Sequence, residues 1–67
     1  MQARVNGEKR EFEEGLTLAQ LMERLGVPRE RGFAVAVNDA VVPRAQQDEF
    51  RPRDGDAIEI IRAVAGG

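Results

Sequence analysis

The sequence predicts a small α+β domain, a mixed sheet of four or five strands with one helix packed across one face. Three observations predict it. A hairpin dipeptide, Asn6-Gly7, comes near the start; one amphipathic helical pattern runs from Leu18 to Leu25; and strand-like apolar runs follow at Phe33–Val37, Ala40–Val42 and Ala57–Val64. A helix this short is not stable alone, so its apolar stripe must be buried on the sheet.

Asn6-Gly7 is the strongest short-range hairpin signal, because both positions tolerate φ > 0. It separates Gln2–Val5 from Glu8–Glu13, two antiparallel strands with Val5 and Phe12 pointing inward. The second strand is polar, as suits a sheet with one solvated face. Gly15 breaks it. Thr17 and Gln20 then form a capping-box pattern, with Leu16 and Leu21 at the staple positions around it. Leu18, Leu21, Met22 and Leu25 recur at i, i+3, i+4 and i+7, a single helix face that belongs to the core. Gly26 supplies the left-handed stop and Pro28 follows it.

Phe33–Val37 is apolar on both faces, as expected of a strand with neighbours on each side. Asn38-Asp39 is a turn, and Ala40-Val41-Val42 is a short strand stopped by Pro43. The stretch from Ala45 to Phe50 is polar and reads as irregular or a single helical turn. Pro52-Arg53-Asp54-Gly55-Asp56 turns the chain into the last strand, with Ile58 and Ile60 on one face and Ile61 on the other. Placing the first and last strands together in the sheet centre covers the most apolar surface. That arrangement is the ubiquitin-like β-grasp, here a domain over residues 1–64 followed by a flexible tail, 65–67.

Composition narrows the chemistry. The chain has 67 residues and no cysteine, histidine, serine, tyrosine or tryptophan, and Thr17 is its only hydroxyl side chain. Serine–histidine and cysteine–histidine catalysis, histidine acid–base chemistry and thiolate zinc sites are thereby excluded. No side chain is assigned a catalytic or metal-ligating role. Ten basic and twelve acidic residues give a net charge of −2, and only Phe12, Phe33 and Phe50 are aromatic, which argues against a nucleic-acid partner. The longest apolar run, five residues at Phe33–Val37, is too short for a membrane span or a signal-peptide core, so no membrane association and a cytoplasmic location are expected. A monomer is expected when the protein is free.

Four surface features have structural explanations. Asp54-Gly55-Asp56 has too few ligands for a calcium loop and reads as a turn. Val41-Val42-Pro43-Arg44 reads as an edge strand stopped by proline, although strand edges also invite partners. Arg44, Arg51 and Arg53, and the acids Glu11, Glu13, Glu14, Asp48 and Glu49, read as solvated faces.

The end of the chain carries the functional signal. Ala63-Val64-Ala65-Gly66-Gly67 follows the last strand. Two terminal glycines arise by chance in roughly 1 in 200 chains at ordinary glycine usage, and chain ends tolerate glycine freely, so the pair gains meaning only from its place after a β-grasp strand. Glycine lacks a Cβ, so a narrow tunnel can admit the backbone and present the terminal carboxylate to another enzyme. A carboxylate is a poor electrophile and must first be activated, most simply as an acyl-adenylate. The activated carbon then accepts sulfur or an amine.

The sequence resembles the small sulfur carrier proteins of thiamine biosynthesis, bacterial ubiquitin-like proteins. The resemblance is clearest in Val37-Asn38, Val41-Val42-Pro43-Arg44, Asp54-Gly55-Asp56, Ile58, Ile60 and the closing Val64-Ala65-Gly66-Gly67, and it extends in layout through Asn6-Gly7, Gly15, Thr17 and the leucine helix. Arg62-Ala63 precedes the tail where family members vary. The resemblance implies a shuttle. An adenylating enzyme related to ubiquitin-activating enzymes would adenylate Gly67 with Mg and ATP, while the carrier itself binds no cofactor. A sulfur-relay donor would then supply the thiocarboxylate sulfur, and thiazole synthase would consume it. On this resemblance Gly67 would be the reacting residue, and Gly66 and Ala65 would thread into the partner sites. Two alternatives share the same tail: a carrier for molybdopterin, tRNA thiolation or cysteine synthesis, and a ubiquitin-like protein modifier.

Overall fold

The computed structural model describes residues 1–27 and 33–62. Its elements are β1 (Gln2–Val5), β2 (Glu8–Glu11), α1 (Leu18–Arg24), β3 (Phe33–Val37), β4 (Ala40–Val41), a 3₁₀ turn at Arg44–Gln46, and β5 (Ala57–Arg62). The five strands form one sheet in the order β2-β1-β5-β3-β4. β1 and β5 run parallel at its centre, and every other neighbouring pair is antiparallel. This is the predicted β-grasp arrangement.

Both hairpins turn on two residues with positive φ, Asn6 (49°) with Gly7 (86°) and Asn38 (51°) with Asp39 (70°). That is the turn geometry whose twist matches a right-handed strand pair. Two boundaries differ from the sequence reading, and a third can be compared only as far as Arg62. β2 ends at Glu11 rather than Glu13, although the Phe12 N–H still donates to the Met1 carbonyl (2.8 Å). β4 ends at Val41, because Val42 turns its side chain into the core while its N–H donates to the Val35 carbonyl (2.9 Å). β5 is described to Arg62; Ala63 and Val64 lie outside the described residues, as does Pro28.

The helix obeys its sequence signals at both ends. Thr17 is the N-cap: its hydroxyl accepts the Gln20 N–H (3.2 Å), and the Thr17 N–H donates to Gln20 Oε1 (2.9 Å). At the other end Gly26 sits at φ +73°. Its N–H donates to the Glu23 carbonyl and that of Val27 to the Met22 carbonyl, the paired bonds of a Schellman stop. Leu18 and Leu21 are fully buried and Met22 nearly so, packed with Ala3, Val5, Leu16, Val35, Val37, Val42 and Ile58. Each large side chain so buried contributes about 2 kcal/mol.

The polar stretch after β4 has a role its composition does not reveal. The Leu18 N–H donates to the Phe50 carbonyl (2.7 Å) and the Ala19 N–H to the Gln47 carbonyl (3.0 Å). These are first-turn donors that a helix cannot satisfy internally. Gln47 is itself buried, and its Nε2 donates to the Val42 carbonyl (3.2 Å).

Candidate functional site: the strand that delivers the tail

Gly67, Gly66 and Ala65 lie outside the described residues. What the structure describes is the strand that precedes them in the chain, β5, and its neighbours. Along its whole length β5 pairs with β3, from Val37↔Ile58 to Phe33↔Arg62. Its pairing with β1 is shorter and covers only Arg4↔Ala57 and Val5↔Ile58, because β1 turns away at Asn6.

Two devices fix the start of β5. In the turn before it, Gly55 lies at φ +88°, and its N–H donates to the Gln2 carbonyl (2.7 Å). Asp54 Oδ1 accepts the Gln2 N–H (2.7 Å), and Asp56 Oδ2 accepts the Arg53 N–H (2.8 Å). These carboxylates are backbone acceptors in a turn, as the sequence indicates. Among the described residues no group of acidic side chains could hold a metal ion. The second device is Asn38, whose Oδ1 accepts the Ala57 N–H and whose Nδ2 donates to Asp56 Oδ1, both at 3.0 Å.

A third side chain acts further along. Asn6 Oδ1 accepts the Ile60 N–H (2.9 Å), bridging residues 54 positions apart. Sequence reasoning identified Asn6 only as a turn residue. The signal for its second role is faint: asparagine tolerates positive φ and also carries an acceptor, which the glycine beside it lacks.

The two faces of β5 differ. Ile58 is buried and Ile60 packs against the core, while Ile61 is 44% exposed on the opposite face. The Cα partners Ala34↔Ile61 and Ala36↔Val41 place an apolar strip on that outer face, with Val41 66% exposed. On the helix side the Arg62 guanidinium lies 5.9 Å from the centre of the Phe33 ring. Within the acidic set, Glu13 holds Arg24 (3.1 Å), and the Met1 amine lies 3.9 and 3.8 Å from Glu11 and Glu14. The hydrogen bond that Arg24 donates to Glu13, followed by the charge of that carboxylate, raises the Arg24 pKa, so that guanidinium stays charged. Arg51 donates to the Gly15 carbonyl, while Arg44 and Arg53 lie exposed.

The family model described as the ThiS family matches residues 3–67, a span that runs through Gly66 and Gly67. The chain belongs to the ThiS family. The sulfur carrier protein ThiS of Escherichia coli is 36% identical over 67 residues, the full length of both chains. That of Thermus thermophilus is 35% identical over 63 residues, 94% of this chain and 95% of the relative. A thiazole synthase of Paramagnetospirillum magneticum contains a stretch 36% identical to 94% of this chain, but the match spans only 19% of that longer protein. The crystal structure of thiamine biosynthesis protein ThiS from Geobacter metallireducens superposes with a TM-score of 0.87 at 30% identity over all of both chains. The β-grasp fold expected from the sequence is that of the family, and the family's function is sulfur carriage in thiamine biosynthesis.

Proposed function

We propose that this ThiS-family chain carries sulfur as a thiocarboxylate on Gly67 and acts as a protein co-substrate rather than a catalyst. The Gly67 carboxylate attacks the α-phosphorus of ATP held, with Mg, by a ubiquitin-activating-like enzyme, and pyrophosphate leaves. Sulfide (HS⁻) supplied by a relay donor then attacks the acyl carbon, the bond to AMP breaks, AMP leaves and the thiocarboxylate remains. Thiazole synthase accepts the sulfur, and an oxygen from its co-substrate or from water replaces it on the acyl carbon as the C–S bond breaks, which returns Gly67 to a carboxylate. The observation that carries this reading is the family match, which reaches from residue 3 to Gly67. Gly66 and Ala65 supply the small residues that let the backbone thread an enzyme tunnel. The stretch resembling this chain inside a thiazole synthase supports that enzyme as the acceptor.

Intact mass tests it. The protein is incubated with its adenylating enzyme, Mg-ATP and sulfide. Replacement of oxygen by sulfur adds about 16 Da, nearly the shift of methionine oxidation, so it is resolved by accurate mass and located on the C-terminal fragment, away from Met1 and Met22. A thiocarboxylate at Gly67 that disappears when thiazole synthase and its co-substrates are added is the expected result. No shift, with a demonstrably active enzyme and donor, overturns the reading. Amide-linked conjugates through Gly67 would favour a protein modifier instead.

A further inference from the structure

The backbone of β5 follows a strict alternation. The Asn38 N–H donates to the Ala57 carbonyl, so residues 57, 59 and 61 present their polar backbone groups to β3. Residues 56, 58, 60 and 62 present theirs to the opposite side. There the Arg4 N–H donates to the Asp56 carbonyl and the Asn6 N–H to the Ile58 carbonyl, both at 2.9 Å. This is the slanted ladder of a parallel pair, in which one residue bridges two positions of its neighbour. Asn6 completes its rung with its side chain, Oδ1 taking the Ile60 N–H. The next rung consists of the Ile60 carbonyl and the Arg62 N–H. No strand among the described residues pairs with β5 there, because the two-residue turn at Asn6-Gly7 has carried the chain away into β2.

We propose that this rung is filled by an extended segment of the enzyme that adenylates Gly67, lying beside β5 in continuation of β1. The proposal rests on the adenylation reading above. Addition of a strand to an open edge combines backbone affinity with a fixed direction. Its place in the chain favours this occupant. Five residues lead from Arg62 to Gly67, so the carboxylate lies at most about 17 Å from the rung. An enzyme gripping the rung therefore sets both the direction and the reach of the carboxylate that it must align with ATP.

The test removes one donor. In Arg62→Pro the N–H is lost, yet that N–H faces away from β3, a position at which a strand tolerates proline. In Arg62→Ala the side chain is lost and the N–H kept. A chemically synthesised chain with an ester in place of the Ile61–Arg62 amide removes the N–H and keeps the side chain, and it decides the matter if the proline variant fails to fold. The readout is ATP–pyrophosphate exchange by the purified adenylating enzyme against carrier concentration. The ester and Arg62→Pro chains are expected to raise KM by about five- to tenfold with kcat within twofold, the effect of one docking hydrogen bond. Arg62→Ala raises KM by less. An ester chain with the KM of the wild type overturns the proposal while leaving the adenylation reading intact. A wild-type chain that supports no exchange overturns both. A wild-type dimer abolished by the ester assigns the rung to a second copy of the chain and overturns the enzyme as its occupant.

Discussion

The two halves of β5 are built for different tasks. The first half lies between two strands, and its entry turn is bound by Asp54, Gly55, Asp56 and Asn38. Its inward side chain, Ile58, is 2% exposed and packs with Leu18, Leu21 and Met22 beneath α1. The second half has β3 on one side and, among the described residues, only the side chain of Asn6 on the other, while Ile61 lies open to solvent. One continuous strand thus passes from the core to a half-open edge within six residues. Burial is concentrated before Ile60, and backbone hydrogen-bonding capacity is left on the segment nearest the tail.

The comparison can be broken from either end. Deleting Gly66 and Gly67 has the largest functional effect: thiocarboxylate formation by mass spectrometry is expected to vanish, with the melting temperature within about 3 °C of the wild type, because chain ends tolerate truncation. Ile58→Ala should do the reverse, costing about 2–5 kcal/mol in a urea titration while any folded fraction still takes up sulfur. Asn38→Ala should cost about 1–2 kcal/mol, because it strips an acceptor from the Ala57 N–H and a donor from Asp56. Asn6→Gly keeps the turn conformation but loses the Ile60 bond; about 1 kcal/mol is expected, with faster amide exchange at Ile60 than the global change predicts. Equal acceleration at Ile58 and Ile60 would show that the two halves are not separate. Ile61→Ser should change stability by less than about 0.5 kcal/mol, as for an exposed position away from the core. A loss near that of Ile58→Ala would erase the distinction.

Much of this was legible because the signals are local. Thr17 with Gln20, Gly26, Asn6-Gly7 and Asn38-Asp39 each specify a backbone conformation within four residues, and each appears in the structure as read. The leucine stripe announced its burial by period alone. The stretch from Ala45 to Phe50 was opaque because its function is non-local: its carbonyls cap a helix nearly thirty residues upstream, and capping by main-chain oxygen leaves no residue signature. Gln47 was likewise invisible, since a glutamine in a polar run gives no hint of burial.

The sequence by itself determined the elements, the turns, the helix limits, the core stripe and the terminal Gly66-Gly67 that marks the family, since each is written in side-chain type and short spacing. The tertiary structure decided where β1 stops beside β5. That limit depends on how a turn fixed at Asn6-Gly7 meets a strand more than fifty residues later, a register that no local pattern encodes. It is this register that gives Asn6 its bond to Ile60 and leaves the Ile60–Arg62 edge without a strand beside it among the described residues.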